Sequence, residues 1–497
     1  MKKIVLSLMA FATIFTSCSN DLEIESNPGV DVVGEDTYVK FSLNSGGVAT
    51  RATRAADEDG VKTANIYIFE AGALVAQQLD VTGAAPAIKL SAGIKEVLMV
   101  TNNATNWGTV STYPTFAIGA TIASVRTKLE VLAVNNPYLT IIKTDGLNYA
   151  NLDGALGFVM NSSTVVDFPE GGTETTPLAI NIPVLRTAAK LAVGVHGTTV
   201  NIPGAISNSA FAVLNTSMNT SLGRQYYEKG ASPINIDGNP NTATLVNNFT
   251  ASVSAPELNS PTDGKYYTHL YGYEQMKATD VTTLVDNAWK PAAETAAASS
   301  LALADILFMP ENIIKGMAAG SEASKGEATY SVLKTKYTPV ATEFNANPGV
   351  TKPVSGTFFA IRNIASQKLM MGDLTAPATT IGFFYDATTA GTFITTNPGT
   401  LLPGVAANYE VVEYKAGLMY YRINLSNAKF AKKTTEKYSV LRNSSYLMDI
   451  NSINDYGTPD VGELPGEPTD PIEETVHLNV TIKVIDYTEI ATTPDLD

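Results

Sequence analysis

A strict alternation of apolar and polar side chains near the end of the chain constrains the fold more than any other feature of the sequence. Five aliphatic residues occupy every second position, namely Val476, Leu478, Val480, Ile482 and Val484. Polar residues fill the positions between them. A period of two is the side-chain period of a β-strand, so this segment is predicted to be a strand with one wholly apolar face. That face must be covered by its own domain or by another molecule.

Shorter runs of the same kind recur along the chain, and they predict a mainly β protein. They lie at 38–43, 64–70, 94–100, 177–185, 189–193, 210–214, 306–309, 328–337, 357–361 and 419–425. In the first run, Val39, Phe41 and Leu43 lie on one face. An amphipathic helix is predicted from the spacing of Ile122, Val125, Leu129 and Leu132. The alanine-rich residues 292–304 predict a second helix, since alanine has the best helix propensity.

The length of 497 residues predicts two domains. We place the boundary near Arg186, which gives an N-terminal domain of residues 55–186 and a larger C-terminal domain of residues 187–456. Residues 457–475 contain Pro459, Pro465, Pro468 and Pro471, so they are predicted to be an extended linker that resists folding back. Linker and terminal strand together make up residues 457–497.

Composition excludes several classes of function. The formal net charge is −15, and no stripe of Lys and Arg is present, so nucleic acid is not an expected partner. The three histidines lack the spacing of a metal site, and neither a G-x-S-x-G nucleophile elbow nor a phosphate-binding P-loop motif occurs. With a single cysteine there is no disulfide framework or CxxC site. We therefore expect no enzyme activity, no cofactor and no metal.

The N-terminus has the pattern of a lipoprotein signal peptide. Lys2 and Lys3 precede an apolar run over residues 4–15, which is too short to span a bilayer. Thr16 and Ser17 then precede Cys18, the only cysteine, in an arrangement that resembles a lipobox. Residues 1–17 are thus predicted to be removed and Cys18 to carry acyl chains such as palmitate. Two or three such chains would anchor the precursor durably to the outer membrane.

Two arginines lie in a predicted surface loop after the first strand. Arg51 and Arg54 have small neighbours, and the loop also contains the pair Gly46 and Gly47. Exposed segments of this kind are preferred sites of proteolysis. They favour cleavage after Arg54 or Arg51 over a purely solubilising role.

Aromatic residues in the second half offer a different interpretation. Tyr266, Tyr267, Tyr271 and Tyr273 surround His269, and such rings could line a glycan-binding face. Tyrosine is also a common strand residue, and this favours a purely structural role for the cluster over glycan binding.

The chain resembles the fimbrillins, the major fimbrial subunits of the type V pili of Bacteroidales. The resemblance rests on the lipobox-like residues 16–18, the loop with Arg51 and Arg54, and a set of short segments along nearly the whole chain. These segments are NIYIF at 65–69, VTNN at 100–103, IPVLR at 182–186, MPEN at 309–312, KYSVLRNSSY at 437–446 and GTP at 457–459.

The resemblance implies two transthyretin-like β-sandwich domains with short helices in the connections. It also implies export as a lipoprotein and cleavage by an Arg-specific protease, which removes residues 18–54 as a propeptide with the first strand. Val39, Phe41 and Leu43 would leave a groove in the N-terminal domain. The C-terminal strand of the next subunit would fill that groove, and the mature protein would lie in a cell-surface fimbrium.

The partners implied are other copies of the chain, minor tip and anchor subunits, the protease, and a receptor on a host or bacterial surface. A stalk subunit needs both a removable first strand and a terminal donor strand, and the sequence offers both. Two alternatives stay open: a glycan-binding surface lipoprotein, which keeps its first strand, and a tip or anchor subunit of the fimbria.

Overall fold

The computed structural model describes most of both predicted domains. The described residues are 35–41, 63–82, 85–101, 114–134, 160–182, 184–195, 197–217, 226–228, 243–245, 270–271, 289–294, 297–298, 306–312, 314, 323–345, 356–371, 381–397, 402–427, 436–472 and 477–486.

The described residues up to Arg186 form eight strands and one helix. They are β1 (Asp36–Phe41), β2 (Thr63–Glu70), β3 (Ala73–Thr82), β4 (Ile88–Ser91), β5 (Gly93–Thr101), α1 (Ile122–Val134), β6 (Met160–Phe168), β7 (Leu178–Ile180) and β8 (Leu185–Arg186). A sheet in the order β4-β1-β7 faces a sheet in the order β3-β2-β5-β6-β8. The core between them contains Val39 and Phe41 from the first sheet and Ile66, Val97 and Met99 from the second.

The outer face of the five-stranded sheet is covered by α1. Val125 and Leu129 are buried against Tyr67, Leu98 and Val100 of the strands. The helix spans the residues that the spacing predicted, so this prediction is confirmed.

The rest of the described chain is again mainly strand. It contains β9 (Ala188–Gly194), β10 (Thr199–Val200), β11 (Ala205–Leu214), β12 (Thr216–Ser217), β13 (Tyr226–Glu228), β14 (Ala243–Leu245), β15 (Leu270–Tyr271), β16 (Lys290–Pro291), β17 (Leu307–Pro310), β18 (Tyr330–Thr338), β19 (Phe358–Asn363), α2 (Ala387–Thr396), β20 (Tyr409–Tyr414), β21 (Leu418–Asn424), β22 (Ser444–Ile453) and β23 (Leu478–Asp486). Single 3₁₀ turns occur at Ala341–Glu343, Ala406–Asn408, Lys415–Gly417, Glu436–Tyr438 and Val461–Glu463.

Two larger sheets form the second sandwich. One has the order β10-β22-β9-β17, with β23 paired to β22, and the other has the order β16-β11-β18-β21. Leu191, Met309 and Met448 of the first sheet share a core with Phe211 and Leu333 of the second. Short pairs β12–β15, β13–β14 and β19–β20 lie outside these sheets, and α2 packs on β19–β20 through Ile394. The predicted mainly β fold is thereby confirmed.

The change from one sandwich to the other occurs at a single residue. β8 ends at Arg186 in a sheet of the first sandwich, and β9 begins at Ala188 in a sheet of the second. Both Arg186 and Thr187 are buried.

Among the described residues, none of the helices combines the length and the apolar character needed to cross a membrane.

Candidate site for strand exchange

The first strand lies in the middle of its sheet. β1 pairs antiparallel with β4, from Asp36 opposite Ser91 to Val39 opposite Ile88. On its other side it pairs parallel with β7, from Val39 opposite Leu178 to Phe41 opposite Ile180. β1 thus has a paired strand on each of its edges, and no single turn joins it to either one. Its loss would leave one edge of β4 and one edge of β7 without a partner.

The inward side chains of β1 are completely covered. Thr37, Val39 and Phe41 are 0%, 0% and 1% exposed. The ring of Phe41 meets that of Phe168 edge to face, with centroids 6.3 Å apart. Phe168 ends β6 in the facing sheet, so β1 carries part of the contact between the two layers.

A tight turn closes over the beginning of β1. The amide of Tyr38 donates to the carbonyl of Gly172 at 3.2 Å, and the amide of Gly172 donates to Oγ1 of Thr37 at 3.1 Å. A Cβ on Gly172 would lie 2.1 Å from the carbonyl oxygen of Tyr38. Glycine is required here because the two backbones approach too closely for a side chain. The turn at Gly172 thus extends the row of contacts that β7 makes with β1.

The C-terminal strand is paired within its own domain. β23 runs antiparallel to β22, from Leu478 opposite Ile453 to Asp486 opposite Ser444. Leu478 is 4% exposed, whereas Val480, Ile482 and Val484 are half-buried against the core of the second sandwich. The apolar face is therefore covered by its own domain in this monomer, which is one of the two outcomes that the sequence allows.

Polar contacts hold the ends of this hairpin. The amide of Asn454 donates to the carbonyl of His477 at 2.8 Å, and Nδ1 of His477 lies 3.2 Å from Oδ2 of Asp455. This hydrogen bond lowers the pKa of the Asp455 carboxyl below its usual value. On the exposed face, Nδ2 of Asn451 donates to Oγ1 of Thr481 at 2.8 Å.

The described proline-rich residues between the two strands, 457–472, form a strap that lies against the second sandwich. Arg362 holds it through Glu463, with Nη1 2.7 Å from Oε2 and Nη2 3.1 Å from Oε1. The half-buried Arg422 donates to the carbonyls of Pro465, at 3.0 Å, and Leu464, at 3.4 Å.

The far end of the strap is held by backbone contacts. The amide of Lys325 donates to the carbonyl of Asp470 at 2.7 Å, and the amide of Ile472 donates to the carbonyl of Ala323 at 3.0 Å. This differs from the sequence prediction of an extended linker that does not fold back. The strap packs because backbone amides and Arg422 satisfy the carbonyls that a proline-rich segment cannot pair internally.

Several predicted site residues lie outside the described part of the chain. These are Cys18, Arg51, Arg54, Leu43 and Val476, together with Tyr266, Tyr267, Tyr273 and His269. Tyr271 belongs to the short β15. The structure brings together the inward residues of β1 and, separately, the apolar row of β23. Within the described residues, no group of three or more His, Cys, Asp and Glu side chains could hold a metal ion.

Sequence reasoning missed the turn at Gly172 and the anchoring of the strap. The pair Gly171 and Gly172 is visible in the sequence, but its partner lies 135 positions earlier in β1. Arg422 occurs in the predicted strand 419–425 and Arg362 directly follows the predicted strand 357–361, and neither has a local sign of the partners that it binds.

Comparison with known proteins shows that the C-terminal part of the chain matches a family model. Residues 412–493 match the model of the fimbrillin C-terminal domain, described as major fimbrial subunit protein type IV. The match includes β21, β22, the strap and β23. No curated protein matches the chain at a significant level.

Solved structures of fimbrial proteins also align with it at low identity. One is the tip fimbrial protein Mfa3 from Porphyromonas gingivalis, with 14% identity, a TM-score of 0.34, and coverage of 91% of this chain and 100% of that chain. Another is the fimbrilin FimA from Porphyromonas gingivalis W83, with 14% identity, a TM-score of 0.38, and coverage of 92% and 98%. The family match confirms, for residues 412–493, the resemblance to the fimbrillins that the sequence indicates.

Proposed function

We propose that this protein is the structural major subunit of a cell-surface pilus, and that it polymerises by protease-triggered donor-strand exchange. In this scheme residues 1–17 are the signal peptide and Cys18 carries the lipid of an outer-membrane precursor. Cleavage after Arg54 or Arg51 then separates residues 18–54, with β1, from the remaining chain.

The observation that carries the proposal is the place of β1 between β4 and β7. The strand is joined to the rest of the domain only through residues 42–62, which contain both arginines. A cut there leaves β1 held by noncovalent contacts alone. Its departure would expose two strand edges and the core positions of Val39 and Phe41, which creates an acceptor for another strand.

The C-terminal strand is the occupant that suits this acceptor. In the monomer β23 is hydrogen-bonded by β22 on one edge, and most of its apolar row is half-buried. Between β4 and β7 it would gain ladder bonds on both edges, each worth roughly 0.5–1.5 kcal/mol net. It would also complete the burial of its aliphatic side chains, at about 25 cal/mol per Å². Exchange is then favoured once the groove is empty.

Proteolysis gives the process its direction. An occupied groove cannot accept a donor, so the intact precursor stays monomeric. The same cut removes the lipidated residues 18–54, so it would release the subunit from its outer-membrane anchor at the moment when it becomes competent to polymerise. The domain division in this scheme is residues 55–186 for the groove domain, 187–456 for the second domain, and 457–497 for the strap and donor strand.

The partners follow from the same scheme. Other copies of this chain form the stalk, minor tip and anchor subunits end it, an Arg-specific protease activates it, and a host or bacterial surface receptor is the target of adhesion.

The N-terminal residue of the protein on the cell surface tests the proposal. We expect surface fibres that begin at Ala55, or at Ala52 if Arg51 is used. Changing both Arg51 and Arg54 to Ala should leave an exported monomer that keeps its lipid. Recovery of intact chains that begin at Cys18 within wild-type fibres would contradict the proposal and indicate an anchor subunit or a glycan-binding lipoprotein.

A further inference from the structure

The turn at Gly172 places a polar group at one end of the otherwise apolar groove that β1 fills. Its amide is buried and donates to the hydroxyl of Thr37, the one polar side chain in the inward row of β1. On the proposed function, removal of β1 takes this hydroxyl away. A buried amide without an acceptor is unfavourable, so the strand that replaces β1 should supply an oxygen at the same position.

The C-terminal strand has such an oxygen at either end of its apolar row. Every second position beyond Val476 and Val484 falls on the same face, and these positions are Glu474 and Asp486. A carboxylate is a strong acceptor for a backbone amide. The two residues imply opposite directions for the donor strand. Glu474 would contact the turn if the donor ran in the same direction as β1, and Asp486 would contact it if the donor ran in the opposite direction.

The anchoring of the strap favours Asp486 over Glu474 as the residue that contacts the turn. Its last described contact is the hydrogen bond from the amide of Ile472 to Ala323, only two positions before Glu474. Asp486 lies fourteen positions beyond Ile472 and ends β23, so this strand has the reach to leave β22 and cross to another subunit while the strap stays bound. At about 3.3 Å per residue, those positions span roughly 45 Å.

We propose that the donor strand enters the groove opposite in direction to β1, with Asp486 in the place of Thr37 beside the amide of Gly172. Val484 then takes the place of Val39, Ile482 that of Phe41 and Val480 that of Leu43. The inserted strand is parallel to β4 and antiparallel to β7. The turn at Gly172 thereby sets both the register and the direction of the incoming strand, which deepens the proposed function and rests on it.

Disulfide trapping in trimmed full-length chains tests this register. Lys89 of β4 is exposed and stands opposite Tyr38 of β1. In the proposed register Ile485 takes the place of Tyr38, whereas in the other direction Thr475 takes it. Neighbouring residues on paired strands lie within the Cα separation that a disulfide tolerates. Cys18 leaves with the propeptide, so the two introduced cysteines are the only ones in the trimmed chain.

We expect Lys89→Cys combined with Ile485→Cys to give covalent ladders under oxidising conditions. Lys89→Cys with Thr475→Cys should give fibres without cross-links. Cross-linking of the second pair, or of neither pair within fibres, would overturn the proposed register. If the unmodified trimmed chain forms no fibres at all, the donor-strand mechanism itself fails, which is a separate and distinguishable result.

A kinetic comparison checks the role of the carboxylate. Asp486→Asn keeps an acceptor oxygen and should polymerise at a rate near that of the unmodified chain. Asp486→Leu should slow fibre growth by about 5- to 100-fold, the effect of leaving one buried amide unpaired. Equal rates for both variants would show that the amide of Gly172 does not bind the side chain at position 486.

Discussion

Nη2 of Arg442 lies 2.8 Å from Oε2 of Glu311, and both side chains are almost fully buried. Arg442 also reaches the first sandwich, because its Nη1 lies 3.4 Å from Oδ1 of Asn161 in β6. Asn443, the next residue, accepts from Arg186 at 3.5 Å. The ion pair therefore sits at the contact between the two sandwiches and immediately before β22.

Removal of one member of this pair should destabilise the whole chain. Arg442→Met removes the ion pair from the buried carboxylate of Glu311, and loss of one member of a buried pair costs about 3–5 kcal/mol. Denaturant unfolding of the precursor measures the loss. The paired change Arg442→Met with Glu311→Leu should recover most of the stability. If Arg442→Met alone unfolds like the unmodified chain, the pair contributes nothing to the contact between the sandwiches.

A side chain at Gly172 should loosen the first strand. In Gly172→Ala the new Cβ meets the carbonyl oxygen of Tyr38, so the turn must move away from β1. We expect faster hydrogen exchange of the β1 amides in the precursor and faster loss of residues 18–54 after trimming. Gly391→Ala is the matched control, because a Cβ there meets nothing within 4 Å in α2 and helix propensity favours alanine by up to about 1 kcal/mol. Equal exchange of β1 in both variants would contradict the assigned role of the turn.

Acid should weaken the base of the C-terminal hairpin. The pKa of Asp455 is lowered by its hydrogen bond with His477, so this contact stabilises the fold above the ordinary carboxyl pKa. The stabilisation is lost as the pH falls through the lowered value. Because both side chains are about half exposed, the effect is at most about 1 kcal/mol. Hydrogen exchange of β23 against pH should show this acid loss, and Asp455→Asn should abolish it. A pH dependence that is unchanged in Asp455→Asn would assign it to another group.

The strap should detach when Arg362 loses its fork of hydrogen bonds. Arg362→Lys keeps the charge but cannot bind Glu463 through two nitrogens. We expect protease sensitivity at 457–472 to rise in Arg362→Ala and, to a smaller extent, in Arg362→Lys. Limited proteolysis of the precursor measures this directly. Equal resistance of all three chains would show that Arg422 and the backbone contacts hold the strap without Arg362.

Periodicity was sufficient to predict many strands and the helix α1. The apolar runs at 64–70 and 94–100 coincide with β2 and β5, and the spacing of Val125 and Leu129 gave the correct helix face. In these elements, the local sequence pattern alone indicates which side chains are buried. β6 was not predicted, because Asn161 and Ser162 near its start are polar although both are buried. Asn161 accepts from Arg442 of the second sandwich, a partner that the local sequence does not indicate.

The structure of other segments depends on pairing with strands that are far away in the sequence. The predicted alanine-rich helix is wrong in its described part, since Ala293 bridges Gly194 and accepts from the amide of Val195 at 2.8 Å. Tertiary pairing here overrides helix propensity. Likewise, the alternation in β23 predicted an apolar face but not its partner, because the period of two does not specify which strand edge pairs with it; in the structure that partner is β22.

The proposed donor-strand exchange requires the apolar row of β23, and a single position in that row tests this central claim. Val480→Asp places a carboxylate among buried aliphatic side chains, where an unpaired charge costs several kcal/mol. Asn479→Asp adds the same charge on the exposed face and is the matched control.

The most direct measurement is therefore the formation of denaturant-resistant ladders by these two variants after trimming with trypsin. Donor-strand exchange predicts ladders from Asn479→Asp and monomers from Val480→Asp, with both precursors folded by circular dichroism. Ladders of equal length from Val480→Asp, and from a chain that lacks residues 475–497, would contradict assembly through this strand.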